Sequence, residues 1–196
     1  AIEAKKEYLA PLLVMEQGMP MAEALFSTSY AAYCIRTFAA IRLPSRTLVD
    51  HDQNKIIERW SPLGVVGAIV PWNAPIVLGM HKVANALIGG NTVVLKPSEL
   101  TPLATLEVGR IAADILPAGV FNVIGGGREV GAALVAHKGL DKISFTGSSP
   151  TGAAIAKQSA DYLRPVTLEL GGNDAAILLP DGSIEELVSA VVTKGL

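Results

Sequence analysis

From residue 63 onward, short apolar runs alternate with longer stretches of helical periodicity, and this alternation restricts the chain to few folds. LGVVGAIV (63–70), NTVVLK (91–96), VFNVIG (120–125), KISF (142–145), VTLEL (166–170) and DAAILL (174–179) read as strands. Continuous apolar runs of this length suit strands buried on both faces, as in a parallel sheet. The segments near 76–88, 102–115, 129–136, 151–161 and 184–194 read as helices. In the last of these, Ile184, Leu187, Val188, Val191 and Val192 fall at i, i+3, i+4, i+7 and i+8, which makes one apolar stripe. Ser183 is placed to cap that helix, with Glu185 and Glu186 in the first turn, where the macrodipole favours acids. The pattern predicts an α/β fold built on a doubly wound, mostly parallel sheet.

Upstream, residues 2–17 and 21–40 read as two helices broken by Gly18-Met19-Pro20. The first has mixed helical spacing: Glu16 falls in line with Leu9, Leu12 and Leu13. Residues 46–61, RTLVDHDQNKIIERWS, are polar with scattered β-branched side chains and suit an exposed ribbon or hairpin. A hydrophobic content of 50% supports a core, and no apolar run reaches the length of a bilayer span. The mean hydropathy of +0.41 leads to the expectation that part of the surface packs against protein outside this chain. A net charge of −2, with both signs mixed along the chain, gives no electrostatic case for nucleic acid. The charged start AIEAKKEYLA does not read as a signal peptide, and a single cysteine excludes an internal disulfide framework, so a reducing, cytoplasmic setting is expected.

The polar strings sit where the expected strands end. PWNAP (71–75) closes the run GAIV, and its prolines fix the backbone around Trp72 and Asn73. An Asn amide is a neutral donor that can stabilise an oxyanion without titrating; a local polar turn explains the same residue. Lys82 follows in the next helix, where a solvated lysine is the alternative. KPSE (96–99) leaves the run NTVVL, and at the carboxyl end of a parallel strand side chains face the ligand crevice. Lys96 and Glu99 can both bond the hydroxyls of a ribose; an ordinary strand exit explains Glu99 but not the Lys96-Pro97 pair.

The glycine string IGGGREVG (124–131) reads G-x-G-x-x-x-G from Gly125, one residue longer than a dinucleotide fingerprint. A tight strand-to-helix turn explains it equally well. GSSPTG (147–152) is the better phosphate candidate. It opens a helix whose first N–H groups and dipole suit a diphosphate, and Ser148 adds a hydroxyl; an ordinary N-cap and first turn is the alternative. VTLEL then carries one acid, Glu169, into Gly171-Gly172. A strand of this texture is expected to be buried; burial favours the neutral form of a carboxyl, which suits a general base. The glycines allow close backbone approach to a ligand. His51, His81 and His137 show no metal spacing, and no metal is expected.

In this order and spacing, PWNAP, KPSE, FTGSSPTG and ELGGN resemble the aldehyde dehydrogenase superfamily, over about residues 10–196. The resemblance implies that family's variant Rossmann fold, here incomplete, and NAD-dependent oxidation of an aldehyde to a carboxylic acid through a thiohemiacetal and a thioester. It gives Asn73 the thiohemiacetal oxygen, Glu169 the water that hydrolyses the thioester, and Lys82 a place near the active site. It puts Trp72 along the cofactor channel, Lys96, Ser98 and Glu99 at the adenosine ribose, and Gly127 and Gly131 at the adenine end. It sets Phe145, Thr146, Gly147, Ser148, Thr151 and Gly152 at the diphosphate turn, with Leu170 and Gly171 beside the cofactor. Glu99 would repel a 2′-phosphate, which favours NAD without excluding NADP. Glu169 argues against the acyl-CoA-forming branch of the superfamily.

The family's nucleophile is a cysteine in an N-x-G-Q-x-C-like string, which has no counterpart before Leu196. Cys34, in SYAAYCIRTF, matches a small buried helical cysteine instead. The expectation is therefore a cofactor-binding domain over residues 1–172, and over residues 173–196 the first strand and helix of a truncated catalytic domain. A non-catalytic dinucleotide-binding fragment is the alternative. Residues 46–61 resemble part of the hairpin that joins subunits in the family, so a homodimer or homotetramer acting on a small aldehyde is expected, with no membrane partner.

Overall fold

The computed structural model describes residues 1–173, 175, 177, 179 and 181–195. A short 3-10 turn (Glu3–Lys5) leads into α1 (Lys6–Gln17) and α2 (Met21–Ala39). The ribbon β1 (Arg46–His51) and β2 (Asn54–Glu58) follows, and then an alternating α/β unit: β3 (Val65–Ile69), α3 (Pro75–Ile88), β4 (Thr92–Lys96), α4 (Leu103–Ala113), β5 (Phe121–Val123), α5 (Arg128–Ala136), β6 (Lys142–Thr146), α6 (Ser149–Ala160) and β7 (Val166–Glu169). The helix α7 (Ile184–Gly195) comes last, with Ser183 Oγ accepting from the Glu186 N–H at 3.5 Å, as its capping position leads one to expect. Of the strand expected over 174–179, residues 174, 176 and 178 lie outside the described residues, and 175, 177 and 179 are not in a strand.

Strands β3 to β7 form one five-stranded sheet in the order β5-β4-β3-β6-β7, and every adjacent pair is parallel. The chain grows outward from β3 to β5, crosses back to lay β6 on the other side of β3, and continues to β7. The strand order therefore reverses between β3 and β6, and in open α/β sheets the ligand crevice opens at that reversal, beyond the carboxyl ends of the strands.

Side-chain alternation assigns each face its partners. Val66, Ala68, Val93 and Leu95 join the cluster that holds Leu9 and Leu13 of α1, Ile76, Met80 and Val83 of α3, and Val108 of α4. On the opposite face Ile143 and Phe145 pack with Leu134 and Val135 of α5 and Ile155 of α6, with Val166 and Leu168 against them. Arg164 ties this second layer to the sheet. It is buried, and its guanidinium donates to the carbonyls of Val135 at 2.6 Å and His137 at 2.8 Å.

The expectation that every strand is covered on both faces fails at β7. There Val166 and Leu168 are half-buried while Thr167 and Glu169 are exposed. Strand β7 lies at the sheet edge, and α1 to α4 cover the other half of that face. The result is a row of polar side chains on the uncovered side: Lys142, Ser144 and Thr146 of β6 beside Thr167 and Glu169 of β7.

The ribbon matches its expected character. Its strands pair antiparallel with a register shift between Thr47 and Val49, and only Val49 is even partly covered. No helix among the described residues is long and apolar enough to cross a membrane.

A candidate cofactor crevice and an adjoining lysine–acid cleft

A crevice of about 570 Å³ opens at the carboxyl ends of β3, β4 and β6, between α5 and α6. Of the residues singled out in the sequence, Lys96, Glu99, Gly131, Phe145 and Thr151 line it. Lys96 ends β4 and is only 4% exposed. Its Nζ donates to the Pro97 carbonyl at 3.1 Å and to Glu99 Oε2 at 3.3 Å. The Glu99 carboxyl is held below its usual range by a backbone N–H, its own, and then by the Lys96 ammonium; partial desolvation opposes them. Gly131 lies over the lysine stem: a β-carbon there would sit 3.8 Å from Lys96 Cδ and Cε, and a longer side chain would enter the crevice.

The turn from Thr146 to Gly152 closes the wall. Ser148 holds the N-cap position of α6, yet its hydroxyl donates to Thr151 Oγ1 at 2.9 Å instead of bonding a helix-start N–H. The first N–H groups of α6 are thus not engaged by this cap. The Gly147 N–H donates to the Glu169 carbonyl at 3.0 Å, strapping the turn to the end of β7. Gly152 has a packing reason as well, since a β-carbon there would collide with the Leu170 side chain. Gly171 approaches the same helix start, where a β-carbon would lie 3.9 Å from Ser149 Oγ.

Of the turn, Thr151 lines the crevice while Thr146, Gly147, Ser148 and Gly152 do not, nor do Leu170 and Gly171 beside it, and Trp72, Ser98 and Gly127 are also outside its lining. Trp72 is 52% exposed in the loop before α3. Ser98 accepts the Leu100 N–H at 3.3 Å within its own turn. Gly127 is the N-cap residue of α5 and donates its N–H to Glu129 Oε1 at 3.1 Å. Conversely, Arg128, Ala132 and Val135 of α5 and Ala154, Ile155 and Gln158 of α6 line it without having been singled out. Their signal was present: residues 128, 131, 132 and 135, like 151, 154, 155 and 158, follow i, i+3, i+4, i+7, so each helix turns one stripe toward the same space.

On the other face of the sheet, a cleft of about 320 Å³ gathers Lys82, Lys142, Ser144, Thr167 and Glu169, with His81 at its edge. Lys82 is buried, contrary to the solvated alternative, and donates to Ser144 Oγ at 3.1 Å. Burial pushes its ammonium below the usual lysine range; the Glu169 charge opposes that shift and Lys142 adds to it. Burial also lowers Lys142. Glu169 is not buried as expected but exposed on the edge strand, where it accepts the Thr146 hydroxyl at 3.0 Å. The desolvation argument for a base here is replaced by an orienting hydrogen bond and access to water. Asn73 lies exposed in the loop between β3 and α3, and its main chain is anchored by a bond from Gln17 Nε2 at 2.8 Å. Another cavity, of about 270 Å³ between α2, α3 and α4, is lined mainly by apolar side chains such as Ile35, Met80, Leu87 and Ile111, and its charged side chains, Arg36 and Glu3, pair with each other at 3.6 Å.

The sequence model of the aldehyde dehydrogenase family matches residues 1–196. The chain belongs to the aldehyde dehydrogenase family. It is 41% identical over 197 residues to betaine aldehyde dehydrogenase 1 of Oryza sativa subsp. japonica, covering 95% of this chain and 39% of that protein. Its fold superposes with a TM-score of 0.93 on an aldehyde dehydrogenase from Bacillus cereus solved as an NAD+ complex, 38% identical, covering 97% of this chain and 40% of that one. A 3,6-anhydro-L-galactose dehydrogenase solved with NADP gives a TM-score of 0.91 at 38% identity, covering 97% and 41%. The chain thus spans about 40% of the length of the aldehyde dehydrogenases it matches.

Proposed function

We propose that this chain is the cofactor-and-base portion of an enzyme that oxidises an aldehyde to a carboxylic acid with NAD. The observation that carries the reading is the pairing of two sites at one sheet: a crevice at the strand-order reversal, ending in buried Lys96, and a lysine–acid cleft across the sheet that ends in Glu169.

The residues fit a dinucleotide. A volume of about 570 Å³ falls within the roughly 300–1,000 Å³ of small-molecule sites. The start of α6 offers backbone donors and a helix dipole to a diphosphate. Lys96 and Glu99, already bonded to each other, would hold the adenosine ribose, and Gly131 keeps the space above the lysine clear. When bound, NAD supplies the two-electron acceptor for the aldehyde carbon. In this chain Asn73 offers a neutral donor to the oxyanion, Lys82 keeps a desolvated cation beside Ser144, and Glu169, steered by Thr146, takes a proton from water.

The carboxylate of Glu99 at the ribose should make the full-length protein bind NAD more tightly than NADP, by about tenfold, or roughly 1.4 kcal/mol. Glu99→Gln should narrow the gap. Calorimetric titration that finds NADP preferred by the unmodified protein would remove Glu99 from the ribose.

The exposed ribbon supports assembly. A hairpin of two strands is marginal when isolated, and its open edges are pairing surfaces. Leu48, Ile56 and Trp60 are exposed on or beside it. We propose that it joins subunits of a dimer or tetramer. Light scattering at micromolar concentration should show no monomer; a stable monomer refutes the assignment.

A further inference from the structure

The last residues of α1 reach out of their own helix into two separate loops. Gly18, at φ +84°, ends α1 by donating its N–H to the Val14 carbonyl at 2.9 Å. Just before it, the Gln17 amide donates from Nε2 to the main-chain carbonyl of Asn73 at 2.8 Å, across 56 residues of sequence. Its neighbour Glu16 accepts the N–H groups of Leu103 at 2.6 Å and Ala104 at 3.1 Å. These are orphan donors at the start of α4, whose own N-cap position is held by Pro102 and gives no side-chain acceptor. Burial raises the Glu16 carboxyl, and the two N–H groups pull it back down. Thr101, just ahead of α4, donates its hydroxyl to the Trp72 carbonyl at 3.1 Å. The end of α1, the loop at residues 72–73 and the start of α4 therefore form one closed frame.

Within that frame Asn73 is the least anchored by its side chain. It is exposed, and among the described residues its side-chain amide is not bonded. The main chain positions the Cα from which that amide extends, and Gln17 bonds the main chain at Asn73 itself. We propose that Gln17 is a positioning residue that fixes the Asn73 backbone, so that the Asn73 amide stays aimed at the oxyanion. This rests on the reading of Asn73 given above. The physical reason is steep: a displacement of about 1 Å in a catalytic group can cost on the order of a hundredfold in rate.

The test compares Gln17→Met, which keeps length and loses the donor, with Gln17→Lys, which keeps a donor, both in the full-length protein. Gln17→Met should lower kcat about tenfold while the aldehyde KM and the NAD affinity stay within about twofold, since the loss is confined to the transition state. Gln17→Lys should recover most of that rate. In an Asn73→Ala background, Gln17→Met should have no further effect, because the two act as one unit. An unchanged kcat in Gln17→Met, equal damage in Gln17→Lys, or an undiminished tenfold effect without the Asn73 amide each overturns the proposal. If the unmodified protein oxidises no aldehyde, the aldehyde reading falls on its own. Hydrogen exchange then decides the clamp: faster exchange at the Trp72–Ala74 amides in Gln17→Met supports it, and unchanged exchange refutes it.

Discussion

Purified by itself, the 196-residue chain should form no NADH when given an aldehyde. In the function proposed above, Asn73 and Glu169 both act on an intermediate whose formation needs a thiolate beside the aldehyde carbon. The chain has one cysteine, Cys34. It lies in α2 at 6% exposure, in the same helix as buried Ala31 and Ala32, and behaves as a small apolar side chain. Cys34→Ser in the full-length protein should therefore leave turnover unchanged. The isolated chain should also bind hydrophobic dyes, because Ile177 and Ile184 are 84% and 78% exposed. NADH production by the purified chain that Cys34→Ser abolishes would contradict both statements and make Cys34 the nucleophile.

Much of the sheet was legible because its central strands carry a distinctive texture. GAIV and TVVL are apolar on both faces, and the helices between them have clear stripes, so β3, β4, β6 and their order along the chain follow from composition and period alone. VTLEL has the same texture, yet β7 is half open. Whether a strand's second face is covered depends on where the helices lie, and α1 to α4 lie over the other half of the sheet. The exposure of Glu169 could not be read from its own segment for that reason. For Lys82 the sequence left a place near the active site and a solvated helix position equally open, and the structure buries it in the cleft. Its hydrogen-bond partner Ser144 lies 62 residues away, which a local pattern cannot supply.

The mixed spacing of α1 was a real signal whose meaning was hidden. Glu16 shares a stripe with Leu9 and Leu13 because that face of α1 packs toward α4, and the acid caps a helix whose N-cap position is a proline. In the glycine string, Gly126 at φ +142° requires glycine, and Gly127 caps α5; the spacing gave the turn but not which residues face the crevice. Ser148 was placed correctly at the start of α6, but its bond to Thr151 in place of the backbone is a rotamer choice that sequence does not encode.

Glu169 is the acid at which the turn at residues 146–152, strapped by Gly147, meets the lysine cleft across the sheet. If it activates the water that releases the acid product, its removal should spare the first turnover and slow every later one. Rapid mixing of full-length Glu169→Gln with NAD and aldehyde should give a burst of NADH close to one equivalent per site, then steady turnover lower by about 10²–10⁴-fold, the usual worth of a general base. A variant with no burst, or with steady turnover equal to that of the unmodified protein, would contradict the role given to Glu169.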